Sequence, residues 1–103
     1  MSKLIKVGSR KDFPEGRITG IQVEGKEIAI AHTPGDNFYA FENQCTHAEA
    51  QLSAGDLEDN EAVCPLHGAR FDVKTGAAIT LPAVRPVQIY ELKIQGDDLY
   101  VGL

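Results

Sequence analysis

Apolar residues in this chain come in short runs of period two, separated by glycine, proline and acidic turn residues, a rhythm that predicts an all-β domain. Ile28, Ile30 and His32 fall on one side of a strand, with Ala29 and Ala31 on the other. Phe38-Tyr39-Ala40-Phe41 reads as a strand running towards Cys45, and Ala62-Val63 as the approach to Cys64. Near the end, Tyr90, Leu92 and Ile94 alternate with Ile89, Glu91 and Lys93. A turn at Gly96-Asp97-Asp98 then returns the chain through Leu99, Val101 and Leu103. Further turns are predicted at Glu24-Gly25-Lys26, Pro34-Gly35-Asp36 and Lys74-Thr75-Gly76. The spacing of Gly and Pro leaves room for a single helical turn, over Asp12-Phe13-Pro14-Glu15.

Composition narrows the class. A chain of 103 residues forms one domain, 1–103, able to stand on its own core. Hydrophobic residues at 43% and charged residues at 24% are ordinary for a globular protein. No apolar run reaches membrane-spanning length, and the start, Met1-Ser2-Lys3-Leu4-Ile5-Lys6, is too polar for a secretory signal, so a cytoplasmic protein without a membrane partner is expected. Fifteen acidic against ten basic residues leave a net charge of −5, which argues against nucleic acid. An acidic surface suits either steering towards a basic partner or simple solubility.

The chemistry sits in two short clusters, Cys45-Thr46-His47 and Cys64-Pro65-Leu66-His67, which use both cysteines and two of the three histidines. Two thiolates and two imidazoles, split as C-x-H and C-x2-H, are the ligand set of a Rieske-type [2Fe–2S] centre, thiolates on one iron and imidazoles on the other. Pro65 and Gly68 supply turn chemistry beside the second pair. A disulfide is poorly suited to a reducing compartment. A tetrahedral Cys2His2 zinc site accepts the same atoms and is the more serious rival, although zinc fingers usually pair like with like along the chain. A nucleophilic cysteine with a histidine base would leave the second pair unexplained. His32 ends an apolar strand away from both cysteines and reads as structural.

On these two motifs and on Phe71-Asp72-Val73-Lys74-Thr75-Gly76, the chain resembles the small Rieske-type ferredoxins of bacterial multicomponent aromatic-ring dioxygenases. Phe13-Pro14-Glu15-Gly16 and the stretch from Pro86-Val87 to Leu103 fit less specifically. The resemblance implies a three-sheet fold: an antiparallel β-sandwich or barrel base with a small inserted cluster-binding lobe at approximately 44–80. It also implies a loop around Leu81-Pro82-Ala83 closing over one cluster per chain, held by Cys45, His47, Cys64 and His67. In the respiratory branch of the superfamily each ligand loop carries an extra cysteine, and a serine and a tyrosine direct hydroxyls at sulfur. The corresponding positions here read Ala50, Leu66, Ala69 and Phe71. Hydrogen bonds to sulfur raise the potential, so their absence predicts a midpoint near −150 mV rather than about +300 mV.

The function so implied is one-electron carriage from an NAD(P)H-dependent flavin reductase to a terminal Rieske oxygenase, by a monomer with no catalytic residues of its own. The alternatives are a small Rieske-like subunit of an assimilatory nitrite reductase and, from another class, a structural zinc module for protein binding. A standalone oxygenase is excluded, because His32 is the only histidine left for a second iron site. Glu49, Glu58, Asp59 and Glu61 lie in or beside the ligand-loop region, as either an acidic docking rim or a solvated loop.

Overall fold

The computed structural model describes residues 3–46, 50–66, 68–80 and 85–103. Among them nine strands are formed: β1 Leu4–Ser9, β2 Arg17–Val23, β3 Lys26–Thr33, β4 Asn37–Glu42, β5 Asp56–Glu58, β6 Glu61–Val63, β7 Arg70–Asp72, β8 Ile89–Gln95 and β9 Asp98–Gly102. Every pairing is antiparallel. Six strands join in the order β1-β9-β8-β4-β3-β2, and three form a separate sheet, β5-β6-β7. Two sheets are present where three are expected, because the strands of the base join into one. The larger sheet is two triplets joined by a short seam, where only Ala40 pairs Tyr90 and Phe41 pairs Ile89. Its two edges face each other across a pocket lined by Ile5, Val7, Ile21 and Val23, and are tied by a Lys3–Glu24 ion pair at 3.1 Å.

Turn chemistry fixes the registers. Glu24 and Gly25 both have positive φ, 49° and 81°, which gives β2 and β3 the two-residue turn whose twist matches paired strands. Gly96 opens the β8–β9 turn at φ 63°.

β3 divides the interior in two. Ile28 and Ile30 enter one core with Phe13, Val23, Phe38, Ala40, Leu99 and Val101. Ala29 and Ala31, on the opposite face, enter a second core with Phe41, Leu52, Ala62, Phe71, Val73 and both cysteines. Burial on both faces is why this strand reads as an unbroken apolar run. The small alanine side chains let the three-stranded sheet approach the base.

The helical turn forms over Arg10–Asp12 rather than from Asp12 onward. Asp12 reaches back to accept the backbone N–H of Ser9 at 2.9 Å, so the turn begins two residues earlier, and Pro14 follows its end. A second 3₁₀ turn, Leu52–Ala54, follows the first ligand loop. His32 is structural: Nδ1 lies 2.7 Å from the Phe13 carbonyl oxygen and Nε2 lies 2.8 Å from Asp36, with the ring stacked on Phe38 at 3.9 Å.

Candidate metal centre

Both cysteines lie just past strand ends, where a side chain leaves the sheet without breaking a ladder. Cys45 follows β4 by three residues, and Cys64 directly follows β6. Each opens a turn of the same size. The N–H of Cys45 donates to the carbonyl of Ala50 at 2.9 Å, and that of Cys64 to the carbonyl of Ala69 at 2.7 Å. The two loops are therefore closed by the same five-residue backbone bond. Gly68, at φ 68°, supplies the left-handed residue that the second loop needs before it re-enters β7.

The base of the first loop is held by Asn43, a residue the sequence reading did not single out. Asn43 is 1% exposed. Its side-chain oxygen accepts the Ser53 N–H at 2.8 Å, and its backbone carbonyl accepts the Leu52 N–H at 2.7 Å. The available signal was an Asn, with its habit of bonding nearby backbone, between a strand and a cysteine. The second loop is braced through β6. Gly55 passes so close to that strand that a Cβ there would collide with the carbonyl of Val63. Past β7, Asp72 accepts the Lys74 N–H at 2.7 Å, and the carbonyls of Asp72 and Gly76 carry the turn on to Val87.

Both thiols are 2% exposed, share one apolar core, and form no disulfide. Buried thiols in an apolar wall beside two matched turns fit a pair of thiolates on one metal ion. Leu66 is exposed at 44%, whereas Ala69 and Phe71 are fully buried and offer no hydroxyl to the site. His47 and His67, and the loop around Leu81-Pro82-Ala83, lie outside the described residues.

Of the four acids read as either a docking rim or a solvated loop, Glu58 and Glu61 are paired within the protein. Arg70 pairs with Glu58 at 2.8 Å and Glu61 at 3.2 Å, and those two carboxylates raise the guanidinium pKa. Asp59 makes no ion pair among the described residues, and Glu49 lies outside them. No helix among the described residues is long and apolar enough to cross a membrane.

Fold and site together define a β domain in which two turn-closed loops each open on a buried cysteine of one shared core. A family model for the Rieske [2Fe-2S] domain matches residues 3–91. The chain is 44% identical, over 89% of its length and 88% of the relative's, to the ferredoxin component of a naphthalene 1,2-dioxygenase system from Pseudomonas aeruginosa. Among solved structures, it is similar to the ferredoxin of carbazole 1,9a-dioxygenase from Nocardioides aromaticivorans IC177, with TM-score 0.90, 38% identity and 96% of each chain covered. It also resembles the ferredoxin in a complex of reduced oxygenase and oxidized ferredoxin of carbazole 1,9a-dioxygenase, with TM-score 0.89, 34% identity, and 96% of this chain and 92% of that one covered. The chain belongs to the Rieske [2Fe–2S] family, among the ferredoxin components of aromatic-ring dioxygenase systems. Its cofactor is the Rieske cluster, and its part is electron transfer, not catalysis on the ring.

Proposed function

We propose that Cys45 and Cys64 hold one iron of the cluster and His47 and His67 the other, within a lobe spanning about residues 44–80. The observation that carries this is the pair of buried thiols at the mouths of two loops closed by matching backbone bonds, Cys45 to Ala50 and Cys64 to Ala69. Bound there, a [2Fe–2S] cluster supplies a site that takes up one electron and gives it away. The protein's own residues do the rest. Asn43 and the Ala50 carbonyl fix the first loop, and Gly68 with the Ala69 carbonyl fixes the second. Phe41, Leu52, Phe71 and Val73 wall off the thiol side from water.

The electron comes from an NAD(P)H-dependent flavin reductase and goes to a terminal oxygenase. The protein works in the cytoplasm as a monomer that visits the two in turn. The complex in which a similar ferredoxin sits with its oxygenase supports the second partner. The identity to dioxygenase ferredoxins favours this pair over a nitrite reductase assembly or a zinc-based binding module. The absence of hydroxyls at Ala69 and Phe71 supports a midpoint near the low end of the Rieske range, about −150 mV.

The test is anaerobic reconstitution of the wild type and of His47→Cys, His67→Cys, Cys45→Ser and Cys64→Ser. The wild type should hold two irons and two sulfides, in keeping with a [2Fe–2S] centre. Each histidine variant should lose the Rieske spectrum. Wild-type spectra in either histidine variant would refute the ligand set.

A further inference from the structure

The first ligand loop is pinned to a part of the chain 39 residues away by two bonds that run in opposite directions. The Thr46 hydroxyl donates to the Arg85 carbonyl at 2.8 Å, and Arg85 Nη2 donates to the Thr46 carbonyl at 3.0 Å. Thr46 stands between Cys45 and His47, and the carbonyl that Arg85 grips belongs to the peptide unit joining Thr46 to His47. Holding that carbonyl restrains the peptide unit that follows Thr46. Arg85 stands at one end of the stretch 81–84. Thr80, at the other end of 81–84, is held by the Arg70 N–H on its hydroxyl oxygen at 3.1 Å.

The charge of Arg85 differs in setting from that of the other arginines tied to carboxylates. Arg70 is engaged by Glu58 and Glu61, and Arg10 by Asp36. Arg85 has no carboxylate partner among the described residues, and its guanidinium is spent on a neutral carbonyl. Among the described residues, its positive charge is carried to the ligand loop with no carboxylate paired to it. A centre that gains one negative charge on reduction is stabilised in that state by a nearby cation.

We propose that Arg85 is a positioning residue for the cluster, clamping the first ligand loop at Thr46 and fixing there a positive charge that favours the reduced state. The inference rests on the assignment of Cys45 and His47 as ligands. Lysine would keep the charge without the planar fork that pre-orders the contact. Valine at position 46 would remove the hydroxyl bond while leaving the carbonyl and every charge in place.

Those differences separate the two roles. Wild type, Arg85→Gln, Arg85→Lys and Thr46→Val are purified with cluster, and the midpoint and the rate of iron release to a chelator are measured on each. Arg85→Gln should release iron at least threefold faster. Its reduction equilibrium should fall about threefold, or about 28 mV at 59 mV per tenfold for one electron. Arg85→Lys should keep the wild-type midpoint and release iron faster. Thr46→Val should do the same. The proposal is overturned if Arg85→Gln keeps both the wild-type midpoint and the wild-type release rate, even with a lower melting temperature. An Arg85→Lys midpoint as low as that of Arg85→Gln overturns the role of the charge. A wild type without a paramagnetic signal after reduction would instead refute the ligand assignment.

Discussion

Cys64 donates its backbone N–H to the carbonyl oxygen of Ala69 at 2.7 Å, which seats a fully buried methyl group where the second ligand loop closes. Two residues on, Phe71 is equally buried and packs in the same core as both cysteines. Neither residue brings a hydroxyl to the thiol side of the site. Ala69→Ser and Phe71→Tyr should each raise the midpoint, by roughly tens of millivolts within the −150 to +300 mV span of such centres. Voltammetry on the holo protein checks this. An unchanged or lower midpoint in both would show that hydroxyls at these positions do not reach the sulfurs.

Asn43→Ala should destabilise the fold by about 1–3 kcal/mol, because the Ser53 N–H loses its acceptor in a largely buried setting. Since Asn43 holds the base of the first loop, iron should also be lost faster. Urea titration of the holo protein reads the first effect and chelator kinetics the second. Wild-type stability would mean that water replaces the amide.

Gly55→Ala tests the close approach behind the second loop. The added methyl must displace the Val63 carbonyl, and Val63 leads directly into Cys64. A cost of about 1–3 kcal/mol is expected for such overpacking, with a drop in iron content. Gly76→Ala should be at least as costly, because its φ of 81° is left-handed and its Cβ would strike the Val87 carbonyl. Full cluster occupancy in both variants would contradict this packing.

Acid should weaken the base of the fold through Asp36. Its carboxyl pKa is lowered from 3.8, first by the hydrogen bond to His32 and then by the charge of Arg10. A carboxyl with a depressed folded pKa contributes stability that is complete above its unfolded value. That contribution is lost as pH falls through the lower, folded one. Asp36→Asn should therefore flatten the melting-temperature profile below about pH 4 and leave the midpoint of the cluster unchanged. A variant as acid-sensitive as the wild type would show that Asp36 is not the group responsible.

Much of this could be read from the chain alone, for identifiable reasons. The alternation of Ile28, Ile30 and His32 with Ala29 and Ala31 is a local signal, and the two cores divide along it. The cysteine motifs are local as well, since each turn carries its own chemistry. What escaped the sequence depends on distant partners. Thr46 meets Arg85 across 39 residues. Arg70 gathers Glu58 and Glu61 only once β5, β6 and β7 are paired, which engages two of the four acids of a rim that looks uniformly acidic in one dimension. The helical turn was misplaced because the Ser9–Asp12 contact outweighs the Asp12 start suggested by Pro14.

The most direct test of the central claim is electron paramagnetic resonance of the purified, anaerobically handled protein before and after dithionite. A mixed thiolate–imidazole diiron centre predicts a silent oxidised sample and, on reduction, one unpaired spin per chain, lost in Cys45→Ser. A colourless protein that stays silent after reduction and carries a single zinc would contradict the account.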